Sequence, residues 1–138
     1  MSNRESFTQA IQCFANPPKR GEYFRLYSED IVLHGYQGVE PGLESVKRFY
    51  HAFWRVFPDA HVIVQELIGE GDTLVVRYII AGTMHEDFMG VPAARQRIEL
   101  PGISILHFRN GQCLERWTCS DSLLLLHQIG ASVAGASR

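Results

Sequence analysis

Residues 103–121 read Ile-Ser-Ile-Leu-His-Phe-Arg-Asn-Gly-Gln-Cys-Leu-Glu-Arg-Trp-Thr-Cys-Ser-Asp. Two β-compatible runs flank Asn110-Gly111, and both residues of that pair tolerate the positive φ that a tight hairpin turn demands. The stretch therefore predicts two antiparallel strands. Side chains alternate along a strand with a period of two, so Ile103, Ile105 and His107 share one face. Cys113, Glu115, Trp117, Cys119 and Asp121 share a face of the second strand. If the two faces coincide, the hairpin presents an apolar wall carrying a few ionisable groups, the usual lining of a small-molecule pocket. A competing reading makes His107 a satisfied sheet histidine and Asp121 the N-cap of a helix over 122–129.

Upstream of this hairpin, residues 61–68 and 73–81 are rich in Val and Ile, and 69–72 (Gly-Glu-Gly-Asp) reads as the turn between them. Residues 82–97 hold Gly90, Pro92 and two alanines, an irregular connection before strands over 98–108 and 112–119. Earlier still, Leu43, Val46, Phe49, Tyr50, Phe53, Trp54 and Phe57 recur at helical spacing, predicting a helix over 43–57 buried against a sheet. A strand over 30–36 precedes it, across a loop with Gly38, Pro41 and Gly42. Phe7, Ile11 and Phe14 predict a helix over 6–15, ended by Asn16-Pro17-Pro18. A short helix is expected over 22–26 and a terminal one over 123–129, with a frayed tail after it. Helices first and then a run of antiparallel strands is the α+β pattern, with helices on one face of the sheet.

The chain has 138 residues, 46% hydrophobic and 20% charged, which suits one globular domain with a real core over about 6–130 and a tail over 131–138. Thirteen basic residues face fifteen acidic ones, for a formal charge of −2. Without a basic run, nucleic acid is excluded as an expected partner. No apolar run spans a bilayer, so no membrane association is expected. The first residues lack the apolar core of a signal peptide, and Cys13, Cys113 and Cys119 form neither a disulfide framework nor a metal spacing. The expected location is therefore the cytoplasm. No phosphate loop, zinc motif or nucleophile elbow is present.

The order of elements, together with Phe57-Pro58-Asp59, Gly71-Asp72, Arg77, Gly82-Thr83, the Phe-Met-Gly-Val-Pro run at 88–92 and the run from Asn110 to Trp117, resembles the SnoaL-like polyketide cyclases of the nuclear transport factor 2-like superfamily. The resemblance spans residues 24–130. It implies a cystatin-like α+β barrel: a curved antiparallel sheet forming a cone around N-terminal helices, with a deep apolar pocket. It also implies a homodimer, and intramolecular aldol cyclisation that uses neither metal nor cofactor. Asp121 matches the family's acid/base aspartate, and His107 a histidine of its site. The chain departs from the family pattern at Met84, where many members carry His, and at Ala93-Ala94-Arg95.

On this reading Asp121 and His107 are the catalytic candidates. A carboxylate in a dry pocket titrates closer to neutrality and becomes a better general base. Trp117 would supply a flat wall for an aromatic or polycyclic ligand, with Tyr36, His34, Trp54 and Ile105 as further substrate contacts. Trp54 equally fits the helix core, and His51 faces solvent. Arg77 interrupts an apolar strand and needs a partner, Glu66 or Glu115. The alternatives are a binding domain without a reaction, or an epoxide hydrolase built on Asp121, Arg77 and Tyr36.

Overall fold

A computed structural model describes residues 1–131. Helix α1 (Asn3–Phe14) starts earlier than its apolar stripe suggests, because Ser2 and Glu5 form a reciprocal capping box. The Asn16-Pro17-Pro18 break holds. The chain then winds through a 3₁₀ turn (Pro17–Lys19), one α turn, α2 (Arg20–Tyr23), and a second 3₁₀ turn (Phe24–Leu26). Strand β1 (Tyr27–His34) leads into α3 (Leu43–Val56). Four further strands, β2 (His61–Glu70), β3 (Thr73–Thr83), β4 (Arg97–Arg109) and β5 (Gln112–Ser120), precede α4 (Ser122–Ile129). The tail expected over 131–138 falls, from residue 132, outside the described residues.

The sheet has five strands in the order β1-β5-β4-β3-β2, curved and unclosed. It departs from the all-antiparallel expectation at one seam: β1 runs parallel to β5, pairing His34 with Trp117. That long-range pairing leaves no local sequence signal. The Asn110-Gly111 turn is as expected, with φ of 51° and 80°. Bulges between Val64 and Glu66 on β2, and opposite His107 and Phe108 on β5, help to bend the sheet.

Helix α3 lies in the hollow of the sheet. Its Tyr50 and Trp54 join Phe14, Tyr23 and Phe24 in an aromatic cluster of mostly edge-to-face pairs, with centroids 5.0–6.3 Å apart. Buried Arg20 lies 5.2 Å from the Trp54 ring centroid and bonds the carbonyls of Phe14 and Ala60. Helix α4 closes one end of the hollow. There Gln128 bonds both the N–H and the carbonyl of Glu99 on β4, at 2.9 and 3.1 Å.

Candidate functional site

The hollow is not filled. A cavity of about 750 Å³ lies between the concave face of the sheet and helices α1, α3 and α4, and it is open on one side. Its walls are apolar: Ile80 and Leu100 from the sheet, Phe49 and Phe53 from α3, Leu125 and Leu126 from α4. Phe88 and Met89 stand at the mouth, in the connection between β3 and β4, where Phe88 and Val91 close a small two-residue ladder. The charged side chains there, Arg55, Glu86 and Asp87, are all exposed.

The floor is polar, and it comes from the even-numbered residues of the hairpin. Arg116 on β5 is 5% exposed. Its Nε and Nη2 donate to Ser104 Oγ at 3.2 and 3.1 Å, and its Nη1 donates to Tyr27 Oη at 2.8 Å and Tyr23 Oη at 3.5 Å. Ser104 is 2.7 Å from Thr118 Oγ1, which donates to Tyr36 Oη at 3.1 Å. Tyr36 in turn lies 3.4 Å from Tyr50 Oη. The result is one continuous chain of hydroxyls anchored on a buried guanidinium. Burial pushes the phenols of Tyr23, Tyr27 and Tyr50 well above their ordinary range, so they stay neutral. Burial opposes the Arg116 charge, but an arginine keeps its proton even when buried, and hydroxyl oxygens accept from its N–H groups.

Of the residues expected in the pocket, only Tyr36 lines it. For the strand residues among the others, the structure corrects the choice of face. Ile105, Trp117 and His34 form one cross-strand row on the convex side of the sheet, where Ile105 is 39% and Trp117 50% exposed. There the His34 ring stacks on Trp117, centroids 3.8 Å apart, and its Nε2 lies 2.7 Å from Glu115 Oε2. His107 shares that outer face, with Nδ1 3.3 Å from Thr73 Oγ1. Trp54 belongs to the aromatic core, and its buried indole N–H has no partner among the described residues. Asp121 lies beside the pocket without lining it: Ser120 and Ser122 on either side do line it. Its exposed carboxylate accepts from the Leu124 N–H at 3.0 Å and caps α4. Arg77 is paired on the outer face with Glu66 at 3.3 Å and Gln65 at 2.7 Å, which removes it from any epoxide-hydrolase site.

The shared face assumed for Cys113 and Glu115 also fails. The β5 bulge sets buried Cys113 opposite Phe108, while Glu115 pairs with His107 outside. Burial pushes the Cys113 thiol up to about 11. Among the described residues no cluster of three His, Cys, Asp or Glu side chains could hold a metal ion, and no helix is long and apolar enough to cross a membrane.

Asp121→Ala is expected to cost about 1 kcal/mol through the lost cap, and Asp121→Asn almost nothing. Urea denaturation checks this. A loss of turnover in Asp121→Asn at unchanged stability would support the acid/base role.

A family model described as SnoaL-like polyketide cyclase matches residues 7–129. Among solved structures, IdmH of Streptomyces antibioticus, assigned as a polyketide cyclase, superposes with a TM-score of 0.79 at 26% identity, covering 95% of this chain and 100% of that one. AclR of Streptomyces galilaeus, assigned as a hydroxylase, gives a TM-score of 0.81 at 22% identity, over 93% and 95% of the two chains. A SnoaL-like protein of Jannaschia gives 0.79 at 24% identity, over 95% and 93%. No curated protein matches the chain.

Proposed function

The chain belongs to the SnoaL-like polyketide cyclases, and from that premise we propose that it takes a small, largely apolar carbonyl compound into its pocket and closes a ring by aldol chemistry without a cofactor. The observation that carries this reading is a roomy apolar cavity with a run of hydroxyls and one guanidinium along its floor. Such donors suit an oxygen on which negative charge develops. Tyr36 is the group placed for it. Its oxygen already accepts from Thr118, so its own proton is free for Tyr50 or a ligand, and the 3.4 Å contact to Tyr50 is long enough to be exchanged readily.

The reaction needs no external oxidant or reductant. A base removes the proton next to one carbonyl. The enolate carbon then bonds to a second carbonyl carbon, whose oxygen takes the proton back. The carboxylates that line the pocket are Glu86 and Asp87 at the mouth. Asp87 is held by the Ala93 N–H at 3.0 Å, which leaves Glu86 as the better base. Tyr36→Phe is expected to lower turnover of a cyclisable diketone by about 10²-fold, the usual loss of one oxyanion donor, with substrate affinity kept. Glu86→Gln should do the same. Equal turnover in all three proteins removes the catalytic assignment. A ligand that still raises the melting temperature then leaves the second reading, a binding protein, which the place of Glu86 and Asp87 at the exposed mouth favours.

The convex face carries its own proposal, a homodimer. One row crosses all five strands there: His34, Trp117, Ile105, Val75, Ile68. Neighbouring rows add Ile103 and Ile63, which are 50% and 43% exposed. A contiguous apolar surface of this kind on a sheet is an interface feature. It is backed by regular strands, and its polar pairs, Arg77 with Glu66 and His34 with Glu115, are closed within one copy, so a second copy fits it. The three free cysteines support a reducing compartment such as the cytoplasm.

A further inference from the structure

Arg116 is the one feature of the pocket that a neutral carbonyl ligand does not explain. A guanidinium taken out of water costs several kcal/mol unless an opposite charge meets it. Arg116 has no such partner: none of the ion pairs among the described residues includes it. Its hydrogen-bond partners, Ser104, Tyr23 and Tyr27, are all neutral, and a fourth hydroxyl, that of Tyr78, faces it as well. The other buried arginine shows what a purely structural arrangement looks like. Arg20 bonds two carbonyl oxygens, lies against the face of Trp54, feels the charge of Asp59, and does not line the pocket.

The charges are also ordered along the cavity. The acidic groups Glu86 and Asp87 stand at the exposed mouth, with Arg55, and the cation sits alone at the buried floor. An amphiphilic anion is therefore driven to enter with its charged end inward. A carboxylate matches the planar fork of a guanidinium better than any other small anionic group.

We propose that Arg116 is an anion-recognition residue, and that the ligand of this pocket is an aromatic or polyketide-like carboxylic acid bound as its carboxylate, with the carboxylate on Arg116 and the reacting carbonyl farther out beside Tyr36. This rests on the pocket reading given above and names its substrate class. Arg116 anchors the acid end, while Tyr36, oriented by Thr118, serves the carbonyl.

The test uses two probes of nearly equal shape, 2-naphthoate and the neutral ketone 2-acetonaphthone, titrated calorimetrically into the intact protein. Naphthoate is expected to bind at least thirtyfold more tightly. Arg116→Met should lose at least a hundredfold in naphthoate affinity and change acetonaphthone by less than threefold. Arg116→Lys, a cation without the fork, should fall between. Acetonaphthone binding as tightly as naphthoate, or a naphthoate preference that survives Arg116→Met, overturns the proposal and leaves the pocket reading intact. Failure of both probes to bind overturns both. Should the Met variant not fold, the Nε–Hε resonance of Arg116 in the unaltered protein decides. It should shift on saturation with naphthoate and stay in place with acetonaphthone, and no shift with naphthoate overturns the assignment.

Discussion

Gly35→Ala is expected to destabilise the protein by roughly 3 kcal/mol or more, lowering the melting temperature by about 10 °C. Two costs combine. Gly35 has φ of 87°, in the left-handed region where an L side chain pays about 1–2 kcal/mol. Its added Cβ would also lie 2.0 Å from the Thr118 carbonyl oxygen, a backbone atom that no side-chain rotation can move. The seam between the end of β1 and β5 must therefore part. That seam carries the site, because Tyr36 follows Gly35 directly and its hydroxyl accepts from Thr118. Binding should weaken along with stability. Gly38→Ala separates the two costs. Gly38 has φ of 78° with nothing within 4 Å of its added Cβ, so it should lose only the backbone share, about 1 kcal/mol. Guanidinium denaturation of the two variants measures the difference. Equal losses would mean that β1 and β5 separate more easily than the 2.0 Å approach implies.

Much of this architecture can be read in the residues. The Phe49-Tyr50-Phe53-Trp54 stripe does mark a helix in the hollow, and Asn110-Gly111 does turn a hairpin. Those signals are local, set by a helical period of 3.6, a strand period of two and the φ range of two turn residues. The β1 start at Tyr27 was less legible because Glu29 and Asp30, on an edge strand, look like loop residues. Its parallel pairing with β5 depends on contacts far apart in sequence. The pocket-facing residues are less legible for a more specific reason. Alternation tells which residues share a face, but not which face turns inward. Ile103, Ile105 and Trp117 read as the inward face because an apolar wall carrying a few ionisable groups is the usual lining of a pocket. At the Ile103–Ile105 end of the hairpin the ordering is reversed. The inner face carries Arg116, Thr118 and Ser120 on the pocket floor with Ser104 behind them, while Ile103, Ile105 and Trp117 stand outside. The bulge on β5 breaks the parity again at Cys113. A lone Arg between Glu115 and Trp117, two residues before Thr118, whose cross-strand partner is Ser104, is the available signal for a polar inner face.

The same reversal yields the second large effect. If the convex face joins two copies, Ile105→Glu should weaken the dimer by at least 10³-fold, about 4 kcal/mol, while each protomer stays folded. Ile105 sits at the middle of the five-strand row, between Trp117 and Val75, so a carboxylate there cannot reach the rim. A two-fold axis places the change on both copies at once, and two buried like charges face one apolar surface. The protomer is spared because Ile105 is already 39% exposed on its own. Sedimentation equilibrium measures the dissociation constant. Thiol labelling gives an independent reading of the same face, because Cys119 is the exposed cysteine and pairs with Ile103 in the adjacent row. In a dimer its alkylation should slow as protein concentration rises, and Ile105→Glu should abolish that dependence. Cys13 and Cys113, buried inside the protomer, should stay unreactive in both forms. An unaltered protein that sediments as a monomer at hundred-micromolar concentration, with Cys119 labelled at one rate throughout, would leave the apolar face to some other partner.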